Sequence, residues 1–234
     1  MLAASDRGLA GPSPELLLMR IAVIPVTPFR QNCSVIWDPV TARGAVIDPG
    51  GGLEEILGFV DGQGITLEKI LLTHAHIDHA GATAELKRRR GLPVEGPHEG
   101  DRFWIEQLAE QARSFGIASE GSFEPDRWLH DGDRVTVGPL ELVVRHCPGH
   151  TPGHVAFFNA PSRFAIVGDV LFQGSIGRTD FPGGDYATLI KSIRDNLFPL
   201  GDDVRFLPGH GPLSTFGDER RHNPFASDAA VRGR

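Results

Sequence analysis

Ten histidines are spread along the 234-residue chain, and three of them share one short segment with an aspartate: Thr73-His74-Ala75-His76-Ile77-Asp78-His79. Imidazole nitrogen and carboxylate oxygen are ligands for zinc, iron or manganese. The segment follows an apolar run at 70–73, so these ligands leave the end of a buried strand. In extended chain, residues two apart project to the same side, so His74 and His76 can grip one ion. Where the chain turns into the next helix, Asp78 and His79 point elsewhere, toward a second ion. A solvated polar loop would not need three His and an Asp directly after an apolar strand.

One loop cannot complete two sites, and three later strand ends are equipped to help. Cys147-Pro148-Gly149-His150 places a His on a tight turn, the run 164–167 ends in Gly168-Asp169, and the run 204–207 ends in Pro208-Gly209-His210. Each repeats one design of apolar strand, turn residues and a single ligand type. Any one of them alone would carry little weight; three after the 73–79 cluster carry much more.

The elements that must position these residues follow from pattern. Strands are predicted at 20–26, 33–37, 45–48, 70–73, 154–158, 164–167 and 204–207, with a hairpin of 134–137 and 140–145 around Gly138-Pro139. Helices are predicted at 53–60, 80–90, 102–115 and 186–197. Strands followed by mixed strands and helices, twice over, suggest one α+β domain of two sheets with helices outside; a doubly wound sheet fits this order nearly as well.

Composition narrows the function. A chain that is 40% hydrophobic and 23% charged is globular rather than disordered. Two Cys exclude a disulfide scaffold, and Cys33 and Cys147 suit a reducing compartment, so the expected location is cytoplasmic. No run approaches the roughly 20 apolar residues of a membrane span. A net charge of −7 argues against a nucleic-acid or anionic-membrane partner, and the basic run Lys87-Arg88-Arg89-Arg90 reads as a helix C-terminus favoured by the dipole. Residues 1–18 lack a signal peptide's apolar core and read as a disordered extension. Residues 19–225 read as one domain and 226–234 as a polar tail.

With its downstream ligands, the His-x-His-x-Asp-His segment resembles the metallo-β-lactamase superfamily. The blocks Arg30-Gln31-Asn32-Cys33-Ser34, Cys147-Pro148-Gly149-His150-Thr151-Pro152-Gly153-His154, Gly168-Asp169-Val170-Leu171-Phe172, Gly177-Arg178-Thr179-Asp180-Phe181-Pro182, Leu207-Pro208-Gly209-His210-Gly211-Pro212 and His222-Asn223-Pro224-Phe225 resemble its short, stand-alone glyoxalase II-like branch. That resemblance implies an αββα sandwich of two mixed β-sheets flanked by helices. It implies His74, His76 and His150 on one metal, Asp78, His79 and His210 on a second, and Asp169 bridging both. Two divalent ions would be the cofactor, with zinc the first expectation and iron or manganese also compatible. The reaction implied is hydrolysis of a small-molecule thioester, S-(2-hydroxyacyl)glutathione such as S-lactoylglutathione. A metal-bridging hydroxide held with the catalytic carboxylates Asp78 and Asp169 would attack the acyl carbon. A thiolate, with a pKa near 8.5, leaves without a general acid, so the lack of an obvious proton donor is no objection.

Two other readings share the ligands. A persulfide dioxygenase with one iron would use His74, His150 and Asp169; a metal-binding protein without catalysis is more remote. Around the ligands, Asp48 is either a partner orienting a ligand His or a plain turn residue. His154 is expected to orient or pack rather than ligate, and Cys147 to be a buried structural thiol. Arg178 and Asp180 are expected as an internal ion pair shaping the site, or else as contacts to a substrate anion. Gly50-Gly51-Gly52 fits no phosphate-loop pattern and reads as a tight turn. The helical domain that helps hold glutathione in full-length glyoxalase II has no counterpart after His210, so substrate-binding residues remain unassigned.

Overall fold

The computed structural model describes residues 19–232, so the expectation for 1–18 lies outside the described residues. The first half supplies β1 (Arg20–Val26), β2 (Gln31–Trp37), β3 (Arg43–Ile47), α1 (Leu53–Gly62), β4 (Thr66–Leu71), α2 (Ile77–Ala80), α3 (Thr83–Arg90), β5 (Val94–Glu95), α4 (Arg102–Glu106) and α5 (Leu108–Phe115). Its five strands form one sheet in the order β1-β2-β3-β4-β5, antiparallel up to β3 and parallel from β3 to β5.

The second half supplies β6 (Arg134–Val137), β7 (Leu140–His146), β8 (Val155–Asn159), β9 (Phe164–Gly168), β10 (Leu171–Phe172), β11 (Ser175–Ile176), α6 (Tyr186–Ser192), β12 (Arg205–Pro208), β13 (Ser214–Thr215), α7 (Phe216–His222) and α8 (Asp228–Arg232). Six of its strands form a sheet ordered β13-β12-β9-β8-β7-β6, in which only β9 and β12 run parallel; β10 and β11 make a separate two-stranded ribbon.

Strand alternation explains the layering. On β3, Ala45 and Ile47 point to the space between the sheets while Val46 points outward. On β8, Val155 and Phe157 point inward while Ala156 and Phe158 point outward, and β9 repeats the pattern with Phe164 and Ile166 against Ala165 and Val167. Both faces are apolar because both are covered, so these strands read as continuous apolar runs. Leu53, Ile56, Leu57 and Val60 of α1 cover the outside of the first sheet, and Leu189, Ile193 and Leu197 cover the outside of the second. The result is the four-layered αββα sandwich that the resemblance implies, not a single doubly wound sheet. Among the described residues, no helix is long and apolar enough to cross a membrane.

Three expected helices are broken. The one predicted at 80–90 is split into α2 and α3 because Gly81 lies against the backbone of Gly50, where a Cβ would come within 2.7 Å of the Gly50 carbonyl oxygen, and because Ala82 N–H turns to Pro49 O. The one at 102–115 breaks at Gln107, where the Trp104 carbonyl is taken by the Gln111 side chain at 2.9 Å. The one at 186–197 is α6 followed by a π turn, Ile193–Leu197. The stretch expected as a polar tail begins docked: Ala226 is buried beneath the second sheet, and Arg194 binds Ala226 O and Asp228.

Candidate metal centre

Four strand ends deliver the candidate residues to one edge of the sandwich. β4 runs into the 73–79 segment, β7 into the turn bearing His150, β9 into Asp169, and β12 into Gly209-His210. Pairing makes them neighbours: Pro208 faces Gly168 in the parallel β9–β12 register, and Gly209 N–H donates to Gly168 O at 2.8 Å. Across the sheets, Val155 N–H donates to Thr73 O at 2.8 Å. The crowding requires glycine at Gly209, where a Cβ would lie 2.0 Å from Asp169 Oδ1.

All seven candidate ligands meet there. His76 Nδ1 stands 3.2 Å from His74 Nε2 and 3.0 Å from His150 Nε2. His79 Nε2 lies 3.9 Å from Asp78 Oδ2 and 3.3 Å from Asp169 Oδ1. His210 Nε2 lies 3.1 Å from Asp78 Oδ2 and 3.6 Å from Asp169 Oδ2, and the latter oxygen is 3.7 Å from His150 Nε2. Asp169 thus turns one oxygen toward His79 and the other toward His150 and His210.

In four of the five rings a partner of the far nitrogen fixes which nitrogen carries the proton. Thr73 Oγ1 gives its proton to Asp48 Oδ2 at 2.6 Å and so accepts from His74 Nδ1–H at 3.1 Å. His79 Nδ1–H donates to Asp48 Oδ2 at 2.9 Å, His150 Nδ1–H to Arg178 O at 2.7 Å, and His210 Nδ1–H to Phe29 O at 3.2 Å. Four rings therefore present a bare Nε2 to the interior, and His76 presents Nδ1. Asp48 holds its place with φ 54, in the left-handed region that Asp tolerates, and also accepts from Thr73 N–H at 2.7 Å. Its side chain thus braces Thr73 and the candidate ligand His79, which is more than a turn would need.

These groups fit cations. In the His74–His76–His150 group the lone pair of His76 Nδ1 faces those of His74 Nε2 and His150 Nε2 at 3.2 and 3.0 Å. Nitrogens around tetrahedral zinc stand about 3.3 Å apart, given Zn–N near 2.0–2.1 Å. Protonation is a poor remedy for this crowding, because burial and neighbouring imidazoles hold His74 far below its ordinary value and push His76 down to about 3. Burial also lowers His150. In the Asp78–His79–His210 group the balance reverses. Burial opposes charge on His79, but the nearby charges of Asp169 and Asp78 and its bond to Asp48 raise it well above its ordinary value. Burial likewise opposes charge on Asp169, yet His79, His150 and His210 hold its carboxyl well below the usual range. His79 Nε2 and Asp169 Oδ1 are buried with no hydrogen-bond partner, as two atoms that share a cation would be.

The centre opens into a cleft of about 480 Å³ walled by Phe29, Trp104, Phe115, Phe172, Ile176 and Phe181. The ribbon carrying Phe172 and Ile176 is fastened from behind: Glu219 accepts from Gly174 N–H at 2.9 Å, and Asn223 Nδ2 donates to Ser175 O at 3.0 Å. That gives the His222–Phe225 block its place. The Arg30–Ser34 block acts on the other side, where Asn32 donates to Pro208 O and Gly211 O on either flank of Gly209-His210.

The remaining candidates sort clearly. His154 Nε2 accepts from Asp169 N–H at 3.0 Å and its ring stacks on His74 at 4.6 Å, so it packs behind the candidate ligands and lies outside their groups. Arg178 and Asp180 do pair, at 2.7 Å, but not internally: their side chains are 59% and 67% exposed at the cleft mouth, with the guanidinium over Phe181. Such an exposed pair contributes little; the role of this block lies in the Arg178 carbonyl and the Phe181 ring. Cys33 and Cys147 are buried free thiols outside the ligand groups. The basic run pairs with Asp126, Glu120, Glu54 and Asp61 around its helix end. Sequence reasoning missed Thr73, Asp101, Gln111 and the aromatic walls. Thr73, adjacent to His74, was the one with a signal; the others sit in segments that read as ordinary helix or loop.

Comparison with known proteins agrees with this geometry. The family described as "Metallo-beta-lactamase superfamily" matches residues 26–210. A protein of Haemophilus influenzae named "Hydroxyacylglutathione hydrolase GloC" is 48% identical over 208 residues, which cover 88% of this chain and 98% of that protein. Among solved structures, the BLEG-1 B3 metallo-beta-lactamase superposes with TM-score 0.82 at 36% identity, covering 88% of this chain and 99% of that one. TTHA1623 in a di-iron-bound form gives TM-score 0.79 at 38% identity, covering 87% and 99%.

Proposed function

The chain belongs to the metallo-beta-lactamase superfamily, and from that premise we propose that it is a two-metal thioester hydrolase acting on S-(2-hydroxyacyl)glutathione, such as S-lactoylglutathione. The observation that carries the reading is the convergence of seven ligand-capable side chains, four of the five rings with their tautomer fixed from behind, in a chain 48% identical to a hydroxyacylglutathione hydrolase. His74 Nε2, His76 Nδ1 and His150 Nε2 would hold one cation. Asp78, His79 Nε2 and His210 Nε2 would hold the other, with Asp169 between them. Zinc is the proposed metal, since tetrahedral nitrogen and oxygen sets suit it, although the relative TTHA1623 has been solved with two irons.

Two divalent cations at these positions would supply Lewis acidity and bring the pKa of water down to about 7. The chain's own part is electrostatic and steric. Asp78 and Asp169 balance only half the charge of two dications, so net positive charge faces the place where an acyl oxyanion develops. Asp48, Thr73 and the carbonyls of Arg178 and Phe29 keep the proton on the far nitrogen of His79, His74, His150 and His210. The aromatic walls exclude bulk water and hold the apolar part of the substrate. A thiolate leaves without a protonated partner, and no side chain is required to supply one. The cytoplasm is the proposed location, in keeping with two buried free thiols.

The test is steady-state turnover of a thioester panel, a β-lactam and glutathione persulfide, by protein of measured metal content. We expect thioester turnover that tracks two metals per chain. One iron per chain with O₂ uptake on the persulfide and no thioester turnover would overturn the proposal.

A further inference from the structure

A buried carboxylate outside the ligand set joins the two segments that carry one of the ligand groups. Asp101 closes the 3₁₀ turn Glu99–Asp101, and its side chain is fully buried. Its Oδ2 accepts from Ala75 N–H at 3.0 Å and from Thr151 Oγ1–H at 2.9 Å; its Oδ1 accepts from Gly153 N–H at 2.6 Å. Ala75 lies between His74 and His76. Thr151 follows His150, and Gly153 precedes His154. The carboxylate therefore spans two segments 74 positions apart in sequence, whose rings must bring His76 Nδ1 and His150 Nε2 to 3.0 Å. None of its three bonds reaches Asp78, His79 or His210.

The backbone around it is cut to fit. A Cβ on Gly153 would lie 2.4 Å from Asp101 N and 2.7 Å from Asp101 Oδ1, and one on Gly100 would lie 2.9 Å from the Pro152 carbonyl carbon. Gly100-Asp101 and Pro152-Gly153 thus interlock, which accounts for the Thr151-Pro152-Gly153 part of a motif whose ligand is only His150. All three partners are donors, so only a group that accepts at every position satisfies them. An asparagine would turn an N–H toward at least one donor.

We propose that Asp101 is a positioning residue: it sets the separation of the His74/His76 and His150 segments and so tunes cation affinity at that group, leaving the Asp78/His79/His210 group to other supports. The inference rests on the two-metal reading above. Partners that orient metal ligands typically govern about 10–100-fold in affinity, which is the effect expected here.

The experiment measures zinc affinity by chelator competition on the full chain, in two backgrounds that each leave one group complete. In His210→Ala only the His74/His76/His150 group is whole; in His150→Ala only the other is. Asp101→Asn should weaken zinc about 10–100-fold in the first background and less than about threefold in the second. Thr151→Val, which removes one of the three bonds and keeps the shape, should give a smaller loss of the same selectivity; it carries the test if Asp101→Asn does not fold. Equal weakening in both backgrounds, or none in either, would overturn the positioning role. Failure of His210→Ala to bind zinc with Asp101 intact would instead overturn the two-metal reading, and this inference with it.

Discussion

The two ligand groups share Asp169 yet are built differently. His74, His76 and His150 are no more than 8% exposed, and their segments are locked by Thr73, the Arg178 carbonyl and Asp101. In the other group His79 is fully buried, but the side chain of Asp78 is 15% exposed and that of His210 is 29% exposed. His210 follows β12 on a loop, and its far nitrogen rests on Phe29 O, in a lip that is itself open to solvent. Preorganised ligands cost little ordering when a cation arrives; ligands on a loop cost more and exchange more easily. On the two-metal reading proposed above, the pair would hold one cation firmly inside and one at the cleft.

Asp169→Ala removes the element both groups share, so it should have the largest effect. Turnover should fall by about 10³-fold or more, with loss of most of the second metal equivalent and retention of the first. Metal analysis and steady-state kinetics check this; two equivalents and an undiminished rate would refute the bridging role. Next in size is Asp48→Asn, which spoils the acceptor behind His79. Affinity in the cleft-side group should drop about 10–100-fold. In the unmodified protein, graded chelation should strip one equivalent per chain before the other. Two equivalents leaving together would break the contrast between firm and open groups.

Acid and alkali should separate the groups in the metal-free protein. Burial holds His74 far below its ordinary value, His76 at about 3, and lowers His150. The folded state thus binds fewer protons than the unfolded one as pH falls below about 6.5, and stability declines there. His79 and His210 are raised despite burial, by carboxylates around them. Their stabilisation is present below about 6.5 and is lost as pH rises through their folded values. Urea unfolding of metal-free protein should therefore show greatest stability near neutrality. His76→Gln should flatten the acid limb by about 2 kcal/mol between pH 7 and 5, and His79→Gln should flatten the alkaline limb.

Legibility does not follow the division between the groups, since Asp78 and His79 of the open group stand in the same 73–79 segment as His74 and His76. His74 and His76 announce themselves by type and spacing, and the apolar strand before them says where they sit. Single ligands such as His150, Asp169 and His210 carry their signal in a repeated design, since each ends an apolar strand on turn residues. Asp101 carries none. An acid beside Gly100 at a helix start reads as a cap, and its three donors come from segments far off in sequence. The cleft walls are equally silent, because Phe29, Trp104, Phe115, Phe172 and Phe181 lie on five separate segments and look like core residues until the fold leaves them at a mouth. The buried strands were legible because short continuous apolar runs mark strands covered on both faces; the layering was not, since a doubly wound sheet fits the same order and the sandwich came from the family resemblance. The helix breaks were not, because Gly81 and Gln107 answer to tertiary contacts rather than to local propensity.

The lip tests how far the open group depends on its surroundings. Phe29 and Phe115 are 46% and 47% exposed, and their rings meet edge to face at 5.8 Å across the cleft, one following β1 and the other ending α5. Neither side chain is among the ligand groups, but the Phe29 backbone carbonyl holds His210. Phe115→Ala should therefore act on substrate alone, raising KM about 3–10-fold with kcat nearly unchanged, as expected for losing uniform apolar contact worth about 1 kcal/mol. Phe29→Ala should do the same and also loosen the turn behind His210, speeding exchange of the cleft-side metal by a few fold while the inner one stays put. Equal metal exchange in the two variants would show that the cleft-side ligand holds its position without the lip. The contrast between the groups would then rest on exposure alone.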